Sequence, residues 1–98
     1  MTDEKILTLH PDGKKGVNIL KRRYDFIKDF ILKTIENEKE ISFKSLMELA
    51  YQDLEHKFDG KIAWYVVTVK LDLESRGIIE RITKSSPQKL KLKQTNDG

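Results

Sequence analysis

Gly60-Lys61-Ile62-Ala63-Trp64-Tyr65-Val66-Val67-Thr68-Val69-Lys70-Leu71-Asp72-Leu73-Glu74-Ser75-Arg76-Gly77-Ile78-Ile79 is the stretch that decides the fold. Set out at 100° per residue, Ile62, Val66, Val69 and Leu73 fall on one side with Tyr65 at the margin, which is the core face of a helix. Gly77 stands where a left-handed residue ends such a helix, because without a Cβ it adopts positive φ at little cost. Ile78 can then fold back onto Leu73, and Ile79 opens a strand. The opposite side of the same helix carries Trp64, Val67 and Leu71, with Thr68 and Ser75 beside them.

Upstream, Leu20, Tyr24, Ile27, Ile31 and Ile35 recur three or four residues apart, while Lys21, Asp25, Lys28, Asp29 and Glu36 face the other way. This predicts an amphipathic helix from about Val17 to Glu36, widened by Phe26 and Phe30 so that it touches two neighbours. A polar run from Glu36 to Glu40 ends it, and Ile41-Ser42-Phe43 gives a brief strand. Ser42 is placed to cap the next helix, since its hydroxyl can accept from a free amide of the first turn. That helix is expected to reach Phe58, with Leu46, Ala50, Leu54 and Phe58 on one face and Met47 and Leu49 at its edges. Downstream, Ile79 to Thr83 and Gln88 to Lys93 alternate, joined by Lys84-Ser85-Ser86-Pro87. They predict a hairpin with Leu90 and Leu92 turned inward. At the amino end, Ile6-Leu7-Thr8-Leu9 reads as a short strand or an ordered arm, closed by the turn chemistry of His10-Pro11-Asp12-Gly13.

Helix, short strand, helix, helix, hairpin is the order of the winged helix-turn-helix, an α+β fold with three helices, a short strand and a C-terminal β-hairpin wing. The run from Val69 to Arg81 resembles the helix-to-wing junction of many such regulators. His10-Pro11-Asp12, Tyr24, Trp64-Tyr65-Val66 and Lys70-Leu71-Asp72-Leu73-Glu74 further resemble a family of small uncharacterised bacterial proteins, over about residues 9 to 93. That family has no established function, so the resemblance implies the fold alone. The chain accordingly divides into an N-terminal arm and turn (1–16), a winged-helix domain (17–93) and a flexible tail (94–98).

With 98 residues and 38% hydrophobic content, the chain is expected to form one domain with little core to spare for a deep catalytic cavity. The lack of cysteine removes disulfides and thiolate chemistry and suits a reducing cytoplasm, the expected location. Asp3 and Glu4 fall where a signal peptide would be basic. The apolar stretch from Ile62 to Leu73 is broken by Lys70 and Asp72 and is shorter than the roughly twenty residues that span a bilayer. No membrane association is expected.

The net charge of +3 is modest, but it is unevenly spread. Basic residues dominate from Lys14 to Lys33 and again from Lys84, and acids dominate between Thr34 and Gly60. On the wing, Lys89, Lys91 and Lys93 project from one face, with Arg81 and Lys84 nearby. A second group comprises Lys14, Lys15, Lys21, Arg22 and Arg23. Both are candidates for phosphate contact in DNA binding, although lysines also protect solvated strand edges. Gly13 and Gly16 lack the lysine-serine or lysine-threonine of a P-loop, so a solvated turn is the better reading there.

A base-reading helix presents Arg, Asn, Gln or Lys to the groove. This one presents Trp64, Val67, Thr68 and Leu71. An apolar face of this kind implies a cover, either the arm carrying Ile6, Leu7 and Leu9 or another chain. Glu48, Asp53, Glu55 and Asp59 would further oppose a duplex approached by this helix. His10 and His56 are far apart, with His56 on a polar face. Asp72 and Glu74, two apart on a helix, are expected in surface ion pairs with Lys70 or Arg76. No enzyme, metal, cofactor or small-molecule signature emerges. The expectation is a non-enzymatic binding module that contacts nucleic acid through its wing and first-helix cations. The alternative is a protein-interaction or homodimer module using the apolar outer face, and a dimer presenting its wings to DNA would combine them.

Overall fold

The computed structural model describes residues 4–82 and 88–93. The described residues form an α+β fold, with three helices and two small antiparallel sheets. In chain order the elements are β1 (Lys5–Leu7), β2 (Asn18–Leu20), α1 (Lys21–Glu38), β3 (Glu40–Ser42), α2 (Phe43–Leu54), α3 (Ile62–Ser75), β4 (Ile79–Ile82) and β5 (Lys89–Leu92). β5 lies between β3 and β4 and pairs antiparallel with both, with Ile41 opposite Leu90 and Ile79 opposite Leu92. The expected connection at residues 83–87, including Lys84, and the expected tail at 94–98 lie outside the described residues.

The core forms where the helical stripes meet the inner face of this sheet. Tyr24, Ile27, Ile31 and Ile35 of α1, Leu46, Ala50 and Leu54 of α2, and Ile62, Val66, Val69 and Leu73 of α3 are buried together with Ile41, Ile79 and Leu90. Leu92 packs at the edge of the same cluster. Because strand side chains alternate, directing Leu90 and Leu92 inward necessarily turns Lys89, Lys91 and Lys93 outward.

Local chemistry sets the helix ends. The amide of Ser45 donates to Ser42 Oγ at 3.0 Å, so Ser42 caps α2. At the end of α3, Gly77 has φ of 74°, Gly77 N donates to the Glu74 carbonyl and Ile78 N donates to the Leu73 carbonyl. These are the paired bonds of a Schellman motif, which satisfy carbonyls that the helix leaves free. α2 stops at Leu54, four residues short of the expected Phe58. There the amides of Lys57 and Phe58 both donate to the Leu54 carbonyl, closing a turn before Gly60.

The amino end departs from the expected helix start near Val17. Asn18–Leu20 is a strand, paired antiparallel with Lys5–Leu7, so α1 begins only at Lys21. Thr8 fastens this hairpin: its amide donates to the Val17 carbonyl at 2.9 Å, and Val17 N donates to Thr8 Oγ1 at 3.1 Å. Gly16 passes so close that a Cβ there would stand 1.6 Å from the Thr8 carbonyl oxygen. No described helix is long and apolar enough to cross a membrane.

Two glycine substitutions separate the two physical demands. Gly77→Ala is expected to cost about 1 kcal/mol, the penalty of placing a Cβ at positive φ. Gly16→Ala should cost more, because backbone must part from backbone. Urea denaturation midpoints of the two variants test this, and a smaller loss at Gly16 than at Gly77 would show that the hairpin contributes little to folding.

Candidate functional site

The outer face of α3 is where the elements converge. Trp64 is 45% exposed and Val67 37% exposed, whereas Thr68 and Leu71 are half-buried. The difference arises because the N-terminal segment lies across part of the helix. A hollow of about 140 Å³ separates the two, lined by Leu9, Val17, Trp64, Thr68 and Leu71 together with Lys15, His10 and other residues of the loop. Inside the loop, Gly13 N donates to the His10 carbonyl and Asp12 N donates to His10 Nδ1 at 3.1 Å. The turn therefore has internal bonds of its own.

Asp72 holds the segment in place. It is fully buried, contrary to the expected surface ion pair. Its Oδ1 accepts from the backbone amide of Leu9 at 2.8 Å, its Oδ2 accepts from the Tyr24 hydroxyl, and the Arg76 Nε donates to both oxygens at 3.0 and 2.9 Å. A carboxylate can lose water only when charge and hydrogen bonds replace it. The next acid is also buried: Glu74 lies 2.9 Å from the Lys70 ammonium and accepts from Arg81 Nε at 2.8 Å. Lys70 is itself buried, with Nζ 5.1 Å from the centre of the Phe43 ring. The expected partners, Arg76 and Lys70, are thus correct and the expected exposure is not. The sequence signal was the apolar second face of α3, which places Asp72 in a covered seam.

The other side of Trp64 opens onto a second hollow lined by Arg23, Asp59, Lys61 and Tyr65. Arg23 donates to the Tyr65 hydroxyl at 2.9 Å and, with Arg22, to the carboxylate of Asp59. Hydrogen bonds from Arg23 and then Arg22 lower the pKa of Asp59. The Tyr65 hydroxyl, then Asp59, raises that of Arg23. Aromatic rings run from Phe26 to Phe58 to Tyr65 to Trp64, with centroids 5.7, 5.1 and 4.9 Å apart. Trp64 and Phe26, both exposed, are the two ends of a braced series.

The family model described as Family of unknown function (DUF6958) matches residues 5–90. The chain belongs to this family. The match runs from β1 into β5 and so takes in the N-terminal hairpin, the Asp72 cluster and both hollows. No curated protein and no solved structure matches the chain.

The basic residues singled out from the sequence do not form one surface. Lys21 pairs with Asp25 at 2.8 Å, Arg22 and Arg23 share Asp59, and Arg81 pairs with Glu74. On β5, Lys89 lies 3.9 Å from Glu40 and Lys91 3.3 Å from Glu80. Lys14, Lys15 and Lys93 are exposed, and among the described residues they have no ion-pair partner. Lys15 stands beside Trp64, whereas Arg81 and Lys93 line a separate depression with Pro11, Asp12 and Glu74. His56 is exposed. Among the described residues no group of three or more His, Asp or Glu is placed to hold a metal.

Two outcomes follow from the Asp72 cluster. Asp72→Asn should lower the unfolding free energy by about 2 kcal/mol, less than a fully buried pair would lose because Arg76 keeps some solvent access. It should also speed amide exchange at Leu9, and unchanged exchange there would remove Asp72 as the fastening point. The second outcome concerns pH. Burial, and secondarily the bond to Asp72, raises the pKa of Tyr24 above its ordinary 10.0. The folded state then holds that proton more tightly than the unfolded chain, so this contribution is complete below pH 10.0 and is lost as pH rises beyond it. Tyr24→Phe should flatten the alkaline fall in melting temperature, and equal slopes in the two proteins would refute the assignment.

Proposed function

We propose that this chain is a non-enzymatic binding module of winged-helix architecture that docks a protein partner on the outer face of α3. The architecture is supported by the element order from α1 to β5 and by a sheet in which the last strand lies between the other two. In this reading the β4–β5 hairpin is the wing, and α3 occupies the position of the recognition helix.

One observation carries the choice of partner: Trp64 and Val67 stand exposed on that helix beside a hollow that Leu9 and Val17 also line. Buried aromatic anchors contribute disproportionately to protein interfaces, and Trp64 is already braced against Tyr65, so docking would order little that is not ordered. Groove readout draws less support. The residues available to base edges are an indole, a valine and a threonine, and Lys21, Arg22 and Arg23 of α1 and Lys89 and Lys91 of β5 are engaged by Asp25, Asp59, Glu40 and Glu80. An acid beside each cation diminishes the counterion release on which duplex affinity depends.

Display selection distinguishes the two partner classes. Wild type and Trp64→Lys are each presented with a library of random peptides and, separately, with random duplex DNA at low salt. Peptides enriched on the wild type should be lost on Trp64→Lys, whose melting temperature should fall by only a few degrees, the loss of about 1 kcal/mol expected for its contact with Tyr65. Salt-sensitive duplex binding that disappears when Lys89, Lys91 and Lys93 are changed together, and that ignores Trp64→Lys, would transfer the function to nucleic acid. Failure to bind either ligand would overturn the reading.

A further inference from the structure

We propose that the hollow between the N-terminal loop and α3 receives one bulky apolar side chain from an acidic partner segment, a conclusion that rests on the protein-docking reading of the same face. Size and lining define the anchor. The hollow measures about 140 Å³; Leu9, Val17, Trp64 and Leu71 give it apolar walls, and Thr68 and residues of the N-terminal loop complete its lining. A cavity of about 150 Å³ with aliphatic and aromatic walls is large enough for a benzene ring. A phenylalanine or leucine side chain therefore fits, and a bare backbone would leave the space unfilled.

Charge defines the flanks. Lys15 lines the hollow on one side of Trp64, and Arg23 and Lys61 line the hollow on the other. The single carboxylate there, Asp59, is already held by Arg22 and Arg23. Lys15 and Lys61 have no ion-pair partner among the described residues. A segment crossing Trp64 from one hollow to the other thus meets a cation on each side of its anchor. Acidic residues flanking the apolar one complement that arrangement, and basic ones are repelled.

The same charges disfavour a second copy of this chain. In a twofold contact the same patch faces itself, so Lys15 and Lys61 of the two copies would be brought together around the shared apolar centre. An unsymmetric contact with the acidic surface of α2 would leave one donor and one acceptor surface unused and would propagate instead of closing. A single nucleic-acid strand could match the cations, but it carries its charge along the whole backbone, whereas here two lysines flank an apolar hollow.

Trp64 is the only tryptophan, so its emission reports this site directly in the full chain. The probes are short synthetic peptides with one phenylalanine flanked by glutamates, the same peptide with alanine for phenylalanine, the same with lysines for glutamates, and oligothymidylate. Binding by the first should shift the Trp64 emission. Loss of either the ring or the acids should weaken it by about tenfold or more, in line with anchor and charge-pair losses at interfaces. Lys15→Glu combined with Lys61→Glu, with folding checked by melting temperature, should reverse the preference toward the lysine-flanked peptide. If library peptides bind through Trp64 but carry no acidic bias, or the charge reversal leaves affinity unchanged, the acidic-segment proposal fails while protein docking stands. Tight binding of oligothymidylate with none of the peptides overturns both. Silence of Trp64 toward every peptide, synthetic or selected, also removes both.

Discussion

The buried carboxylate of Asp72 is the constraint on which the arrangement of this molecule depends. An ionised side chain with no solvent contact is tolerable only if its lone pairs are filled. Here they are filled by two parts of the chain remote in sequence, the amide of Leu9 and the hydroxyl of Tyr24 on α1, and by the guanidinium of Arg76 one turn along at the end of α3. Each donor fixes one part of the arrangement. Tyr24 sets how α1 approaches it, Arg76 reinforces its last turn, and Leu9 draws the N-terminal hairpin over its outer face. The hollow beside Trp64 exists because the hairpin is held at Leu9 and does not extend far enough along the helix to cover Trp64 and Val67.

The helical core was legible in the sequence because it depends on periodicity alone. Leu46, Ala50 and Leu54, or Ile62, Val66, Val69 and Leu73, need no knowledge of their partners to be assigned inward. The Ser42 cap and the Gly77 terminus were legible for a similar reason, since each is a local backbone problem with a small set of residue solutions. Val17 to Leu20 was not. Its apolar residues suit a helix start as well as a strand, and the choice is made by Lys5–Leu7, a partner more than ten residues away. Asp72 and Glu74 misled for a related reason: spacing on a helix tells which residues share a face, but not whether another segment covers that face.

The cation map changed most between sequence and structure. Arg22 and Arg23 looked like a free basic pair because Asp59, which binds both, lies 37 and 36 residues further along the chain. Lys89 and Lys91 looked free because their acids, Glu40 and Glu80, sit on the two neighbouring strands. The exposed ion pairs contribute little to stability individually. Their effect on recognition is larger, because a cation with a carboxylate at 3 to 4 Å presents a dipole to an approaching phosphate and not a net charge.

What distinguishes the surface around Trp64 is therefore the coincidence of unneutralised charge with exposed apolar area. On β5 the lysines alternate with inward leucines, so charge and apolar surface lie on opposite faces of one strand. At α3 they lie on the same face, because the loop that brings Lys15 also brings Leu9 and Val17. An apolar side chain seated there would desolvate the rim, and in the lower local dielectric the attraction between Lys15 or Lys61 and an acidic neighbour would strengthen. The two contributions reinforce one another only where they are adjacent. A phosphate backbone supplies the charge without the anchor, whereas an acidic peptide with one large apolar residue supplies both from a single short stretch of chain.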